Sequence, residues 1–484
     1  MYKLNLIKLL KVFSHKDLRE FDKFLLSPLY NNQNTLVRFF RELRKYHPDF
    51  SKKKLNSKML FKSVNPEKVF NSVLFRKYVS SLTKLAEQYL SISKLSEDSY
   101  RMKLILLQLY DQAGLESLFM KKEKSLTESE NKKSLINAPY IENRIWHSEI
   151  RYNYYSKIKQ YERSLEAITE NLVYSYLRFI FSYSNNLRKF YVLKYNYDPA
   201  EINKYFKQHF ELVGESFFEN AENLFSGKEL LLFRLFNYDR KISVNDNDEN
   251  SFKKLRETVF LCTEILTNNM LYYYIARLNI FCLIMTSRNI EGYKQILFEN
   301  HKYMFNKDLF FSDNRRTLTY GEYISILLSA LKVGQFDWAY DFILNCKNNP
   351  DQTDSADLSR YGYLNFLFYK GEFKECLNNC SLASLKNITL KIGVSKITLK
   401  VMYELGYFDS ARSFLSNYKH YLNNSSNLSI NIGSREIQFT NYYQILLNNT
   451  VSSKKTYLKN IIMDLKSETN IADKDWLMSK FQNV

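Results

Sequence analysis

Apolar residues recur every three or four positions along most of this chain, without the alternation of a strand. Ser14 stands before His15 to Leu26, where Leu18, Phe21, Phe24 and Leu25 share one helical face. A serine there can cap the helix, and Ser27-Pro28 ends it, because the residue before a proline resists helical geometry. A second helix opens at Asn34 or Thr35, turns Leu36, Phe39, Phe40 and Leu43 to one side, and stops at His47-Pro48. The pattern predicts a third helix over Lys54 to Lys62. It predicts a long fourth one starting at Asn65-Pro66, a cap followed by proline at the first helical position. The stripe of that helix is Val69, Phe70, Val73, Leu74, Tyr78, Leu82, Leu85 and Leu90. Together these form an expected N-terminal helical unit over residues 1–97.

Helical hairpins are expected over 98–243. Leu104, Leu107 and Leu109 precede a turn at Gly114, and Asn137-Ala138-Pro139 breaks the chain before a helix over Ile141 to Ser156. The polar stretch Val244 to Asn250 separates this region from 251–484. There a cadence appears three times: Gly334-Gln335-Phe336-Asp337-Trp338-Ala339, Gly371-Glu372-Phe373-Lys374-Glu375-Cys376 and Gly406-Tyr407-Phe408-Asp409-Ser410-Ala411. The glycines lie 37 and then 35 residues apart, a period expected of stacked helical hairpins. Each glycine can take positive φ where one helix closes. The aromatic two residues later is expected to plug the hairpin. The small residue five after the glycine lets two helices approach, and Ile343, Cys380 and Leu415 follow one turn on. Lys159-Gln160-Tyr161-Glu162-Arg163-Ser164 repeats the cadence without its glycine. Residues from Thr440 to Val484 read as helices capping the array.

This arrangement resembles the tetratricopeptide repeat, over roughly Tyr320 to His420, with Pro350 near the end of one unit. The first helices show no inner glycine of the kind that family uses. The resemblance implies an α-solenoid of antiparallel helix pairs, with a right-handed superhelical groove that binds peptides or proteins. Lys23-Phe24-Leu25-Leu26-Ser27-Pro28-Leu29-Tyr30-Asn31 is similar to the start of uncharacterised tetratricopeptide-like proteins of Bacteroidetes-type bacteria, which implies no function.

Composition agrees with an all-α fold. Only 11 Gly and 6 Pro in 484 residues leave few tight turns, too few for an all-β chain. The N-terminus breaks its apolar run with Lys8 and Lys11 and lacks a signal-peptide core. Met270 to Thr286 is the most apolar stretch, but it contains Arg277 and Asn279 and is short for a span, so a buried helix is expected. The expectation is a cytoplasmic protein. Five cysteines, an odd number at low density, argue against a disulfide framework.

Candidate chemistry is sparse. Cys376 and Cys380 share a helix face, but no other pair completes a four-ligand set, so packing is expected. Asp246-Asn247-Asp248-Glu249-Asn250 with Glu257 resembles a calcium loop, yet Ser251 stands where glycine is needed and Lys253-Lys254 repels a cation. The six histidines are scattered, and no nucleophile elbow or phosphate-binding loop appears. No catalytic residue, cofactor or metal is therefore expected. Charge gives one lead. Of the net charge of +19, residues 1–95 carry +13, from 20 Lys and Arg against 7 Asp and Glu. Lys52, Lys53, Lys54, Lys58, Arg76, Lys77 and Lys84 are candidate phosphate-backbone contacts. The helix order there is loosely similar to the winged-helix part of some bacterial activators that also carry such repeats. Two functions follow as expectations. The first is a non-enzymatic scaffold or adaptor that binds a protein or peptide by its groove. The second is a nucleic-acid-binding regulator that uses the basic segment, with the repeats as sensor or dimerisation arm.

Overall fold

The computed structural model describes residues 5–50, 56–131, 135–194, 204, 213–288, 290–311, 317–348, 355–380, 387–424, 430–449, 455–468 and 471–483. Among them all 23 elements are α-helices and none is a strand. The chain divides into two compact units, residues 1–179 and 180–484.

In the first unit, α1 (Asn5–Val12), α2 (His15–Leu26), α3 (Asn34–Arg44), α4 (Ser57–Val64) and α5 (Ser72–Glu97) enclose one core. Ser14 caps α2 with a reciprocal pair: its hydroxyl accepts from the Asp17 N–H at 3.1 Å, and the Asp17 carboxylate accepts from the Ser14 N–H at 2.8 Å. Phe21 of α2 then packs edge-on against Phe13 at 5.5 Å and Phe40 at 4.9 Å. Each fully buried phenylalanine here contributes on the order of 2–3 kcal/mol.

The expected third helix is present with shifted ends, and one expectation fails in this unit. Of the predicted third helix Lys54 to Lys62, Lys54 lies outside the described residues; α4 begins at Ser57, where Asn56 accepts from the Lys58 N–H. Asn65-Pro66 does not open the long helix. Asn65 closes α4 instead, and Asn71 caps α5 by accepting from the N–H groups of Val73 and Leu74. Val69 and Val73, assigned to the buried stripe, are therefore exposed, while Phe70 folds back onto Phe61 at 5.5 Å.

The unit continues with α6 (Ser99–Gln112), α7 (Glu116–Asn131) and α8 (Ala138–Lys157), and with α9 (Tyr161–Lys194), which contributes to both units. Asn137 caps α8 by accepting from the Tyr140 N–H, with Pro139 in the first turn. The α6–α7 and α8–α9 turns have one construction. Gly114 (φ 70°) and Lys159 (φ 61°) are left-handed, and the next residue donates its N–H five residues back, Leu115 to Tyr110 and Gln160 to Tyr155. Lys159 pays the Cβ penalty that Gly114 avoids. Lys159→Gly is expected to stabilise the protein by about 0.5–1 kcal/mol, after allowance for the glycine's greater freedom when unfolded. A thermal melt with an unchanged or lower midpoint would contradict this.

Besides its part of α9, the second unit holds α10 (Glu215–Glu222) and the pairs α11 (Gly227–Val244) with α12 (Glu249–Leu261), and α13 (Asn268–Ser287) with α14 (Tyr293–Asn306). By length and composition alone, α13 is the one described helix long and apolar enough to cross a membrane. It packs against α11, α12 and α14, with Tyr274, Leu278 and Cys282 buried, as expected of a core helix. Its Arg277 reaches Asp239 of α11 at 3.1 Å and Ser243 at 2.7 Å, so the charge sits paired inside the stack.

The three cadences are the turns of three consecutive hairpins: α15 (Tyr320–Leu331) with α16 (Phe336–Lys347), α17 (Ser355–Lys370) with α18 (Phe373–Asn379), and α19 (Ile388–Glu404) with α20 (Phe408–Asn424). Gly334, Gly371 and Gly406 have φ of 74°, 80° and 74°, and each turn repeats the same five-back hydrogen bond. Ala339, Cys376 and Ala411 are fully buried. Phe336, Phe373 and Phe408 are only half-buried. They cover the hairpin ends, Phe373 on Phe368 and Phe408 on Tyr403, rather than plug the interior. Cys380 lies just past the end of α18, so it does not continue a helix face as Ile343 and Leu415 do.

First helices α15, α17 and α19 also touch one another in succession. Glycines make that approach possible. A Cβ on Gly362 of α17 would stand 2.2 Å from the Tyr323 hydroxyl of α15. One on Gly393 of α19 would stand 2.5 Å from the Tyr361 ring of α17. The notches repeat: a tyrosine of one first helix fills the gap left by a glycine of the next. The chain ends with α21 (Ile430–Asn449), α22 (Lys455–Ser467) and α23 (Lys474–Asn483), which share a hydrophobic core with α19 and α20.

Candidate functional site

Each unit presents one candidate surface. In the first, burial of Phe75, Tyr78, Leu82, Ala86 and Tyr89 orients α5 and leaves Val73, Arg76, Lys77, Ser80 and Lys84 on its outer side. In the same way α4 buries Leu60, Phe61 and Val64 and presents Lys58, Met59 and Lys62. Phe61 faces Tyr78 with ring centroids 6.3 Å apart, and the Tyr78 hydroxyl donates to Asn65 at 3.4 Å, so α4, the connecting loop and the start of α5 form one braced corner. Of the seven basic candidates, Lys58, Arg76, Lys77 and Lys84 are exposed on this corner and along α5. Lys52, Lys53 and Lys54 lie outside the described residues. The ion pairs of α1–α5 join Lys23 to Glu20, Arg41 to Asp22, Lys45 to Glu42 and Lys94 to Glu97, leaving those four cations unpaired among the described residues.

In the second unit the chain's own last helix rests on the first-helix face of the hairpins. Lys400 of α19 is buried, with its Nζ 2.8 Å from Asp473 Oδ1 and 4.5 Å from the centre of the Phe368 ring. Lys396, one turn earlier, lies 3.1 Å from both Asp473 Oδ2 and Glu436 Oε1. The Tyr418 hydroxyl donates to Glu436 at 3.2 Å. Two ammonium groups thus meet two carboxylates. Burial alone would raise the Asp473 carboxyl, but the ammonium groups of Lys400 and Lys396 override it and hold it well below the usual carboxylate range. Further along α23, Trp476 Nε1 donates to Glu404 at 2.8 Å and Lys480 pairs with the same carboxylate at 2.7 Å. Lys332, at the end of α15, lies 3.7 Å from Asp475.

The remaining candidates resolve into structure. Cys376 is buried and its thiol donates to the Leu364 carbonyl at 3.4 Å; hydrogen bonding with Cys380, then burial, pushes that thiol up. All five cysteines are free, and burial pushes Cys262, Cys282 and Cys346 up to about 12. In the acidic loop, Asp248 caps α12 by accepting from the Ser251 N–H, and the Arg288 guanidinium bonds Asp246 and Asn247 where a cation would sit. Among the described residues no group of three or more His, Cys, Asp or Glu could hold a metal ion. His301 and Ser329 do meet, at 2.9 Å, but both are buried and the Ser329 hydroxyl donates to the Ile326 carbonyl at 2.7 Å. Its proton is committed there, and burial holds the imidazole down to about 4. His15 and His47 stack edge-on at 5.3 Å, His147 contacts Tyr100, His420 bonds Asn424, and His209 lies outside the described residues.

No family model, curated protein or solved structure matches this chain. Helices packed in neighbouring pairs, joined by recurring left-handed turns, are what the structure itself contributes. The lysine–carboxylate cluster is the arrangement that sequence reasoning missed. Its signal was present: Lys396 and Lys400 interrupt an apolar helix, Val394 to Val401, one turn apart.

Proposed function

We propose that this protein is a non-enzymatic recognition scaffold, a divergent tetratricopeptide-like array whose first helices offer a face to a protein or peptide. The observation that carries this reading is the seating of α23. The first-helix face receives a helix through a carboxylate on Lys396 and Lys400 and an aromatic N–H on Glu404. A face able to hold a segment by charge and ring contacts has the chemistry of a peptide-binding surface. Upstream, the first helix α13 leaves Ile280 and Leu283 exposed one turn apart, an apolar pair suited to anchor a partner.

Affinity capture with the tagged full-length chain tests this, followed by mass spectrometry of bound protein and nucleic acid. Proteins held by the wild type and released by Ile280→Asp/Leu283→Asp support the reading. Recovery of nucleic acid alone would overturn it.

A further inference from the structure

The corner made by α4, its loop and the start of α5 joins two features that a solvated lysine face lacks in combination. Three aliphatic side chains stand out of it, Met59 at 64%, Val69 at 91% and Val73 at 71% exposure. Between residues 56 and 84 there are six cations, Lys58, Lys62, Lys68, Arg76, Lys77 and Lys84, all exposed, against the single acid Glu67. Aromatic packing beneath, Phe61 on Phe70 and Phe70 on Phe75, fixes the loop so that its neighbour Val69 is held outward.

We propose that this corner docks on an anionic phospholipid surface, with the lysines at the headgroups and Met59, Val69 and Val73 entering the acyl boundary. Charge complementarity selects the occupant. Clusters of four to eight Lys or Arg beside apolar tips are the arrangement that binds anionic lipid, where both terms add. Nucleic acid asks for something else. Single strands stack on exposed rings, and sequence readout favours arginine. Here the rings of Phe61, Phe70 and Phe75 are turned to the core, and five of the six cations are lysines. Exposed valines add nothing to a phosphate-backbone contact, but they add binding area in a bilayer interface.

Co-sedimentation of the full-length protein with vesicles decides the matter. One set is phosphatidylcholine, the other phosphatidylcholine with about one-third phosphatidylserine, and retention of a DNA duplex and a single strand is measured in parallel. The wild type is expected to sediment with the anionic vesicles and to stay in solution with neutral ones. Lys62→Glu/Arg76→Glu/Lys77→Glu should weaken sedimentation by about fivefold or more per reversed charge. Val69→Ser/Val73→Ser, which removes apolar area without adding charge, should weaken it about tenfold or more while leaving helicity and any DNA retention unchanged. Because both valines are exposed, this second variant decides the case even where the charge reversal disturbs folding. Three results would each overturn the proposal: no sedimentation with anionic vesicles, equal sedimentation with both kinds, or full binding by Val69→Ser/Val73→Ser. DNA retention that the charge reversals abolish, with no vesicle binding, would assign the corner to nucleic acid instead.

Discussion

Asp473→Asn should lower stability by about 3 kcal/mol at neutral pH, because it strands Lys400 in a buried place without its counter-ion. The substitution is conformationally clean. Asp473 is left-handed, with φ of 49°, a region that asparagine enters as readily as aspartate. Lys396 keeps Glu436, whereas Lys400 loses the carboxylate 2.8 Å away. Asp473 itself keeps 26% of its side chain exposed, which holds the figure at the low end for a broken buried pair. The pH dependence has a definite sign. The folded carboxyl titrates below its unfolded value, so its contribution is fully present above about pH 4 and is lost as pH falls through the folded value. The gap between wild type and variant in urea denaturation should therefore hold from about pH 5 upward and narrow in stronger acid. Lys400→Met in the Asp473→Asn background should recover most of the loss, since methionine suits the Phe368 ring and leaves no unpaired charge. An Asp473→Asn protein as stable as wild type at pH 7 would show that the four charges contribute nothing net.

The notch at Gly362 gives the second large effect. Alanine normally stabilises a helix interior over glycine by about 1 kcal/mol. At Gly362 the sign should reverse, because the new methyl would meet the Tyr323 hydroxyl at 2.2 Å and Ile343 at 3.0 Å. Overpacking of this kind costs about 1–3 kcal/mol. Tyr323→Phe removes the obstructing oxygen. That hydroxyl is buried without a hydrogen-bond partner among the described residues, so the single change should be close to neutral. The double variant Gly362→Ala/Tyr323→Phe should then recover most of the stability lost by Gly362→Ala. A thermodynamic cycle with no coupling between the two positions would contradict the notch.

What the sequence disclosed depended on whether a structural demand restricts residue type locally. Positive φ does so, and Gly334, Gly371 and Gly406 marked their turns plainly. Lys159 meets the same demand and was found only through its neighbours. The Asn65-Pro66 error has the same physical root. Asn65 and Asn71 both precede apolar residues, and a helical stripe read alone does not say which asparagine is the cap. The glycines at 362 and 393 carry no dihedral mark, since both lie inside regular helices; their meaning comes from a tyrosine 39 and 32 residues earlier. The ionic cluster is less visible still, because Lys400 and Asp473 are 73 positions apart. The basic corner was legible as charge but not as a mixed surface. The helical stripe takes in Val69 and Val73, whereas the helix starts at Ser72 and leaves both exposed.

The tyrosine notches also bear on how this protein could be shortened. A chain cut after Asn379 would end on a tidy helix boundary, yet it would leave the ring of Tyr361 facing water with its seat on α19 removed. A cut after Asn348 would uncover the hydroxyl end of Tyr323, though its ring would keep Phe342. Natural break points in the sequence are therefore poor places to trim, and this stretch should open and close in native-state hydrogen exchange as one cooperative block instead of hairpin by hairpin.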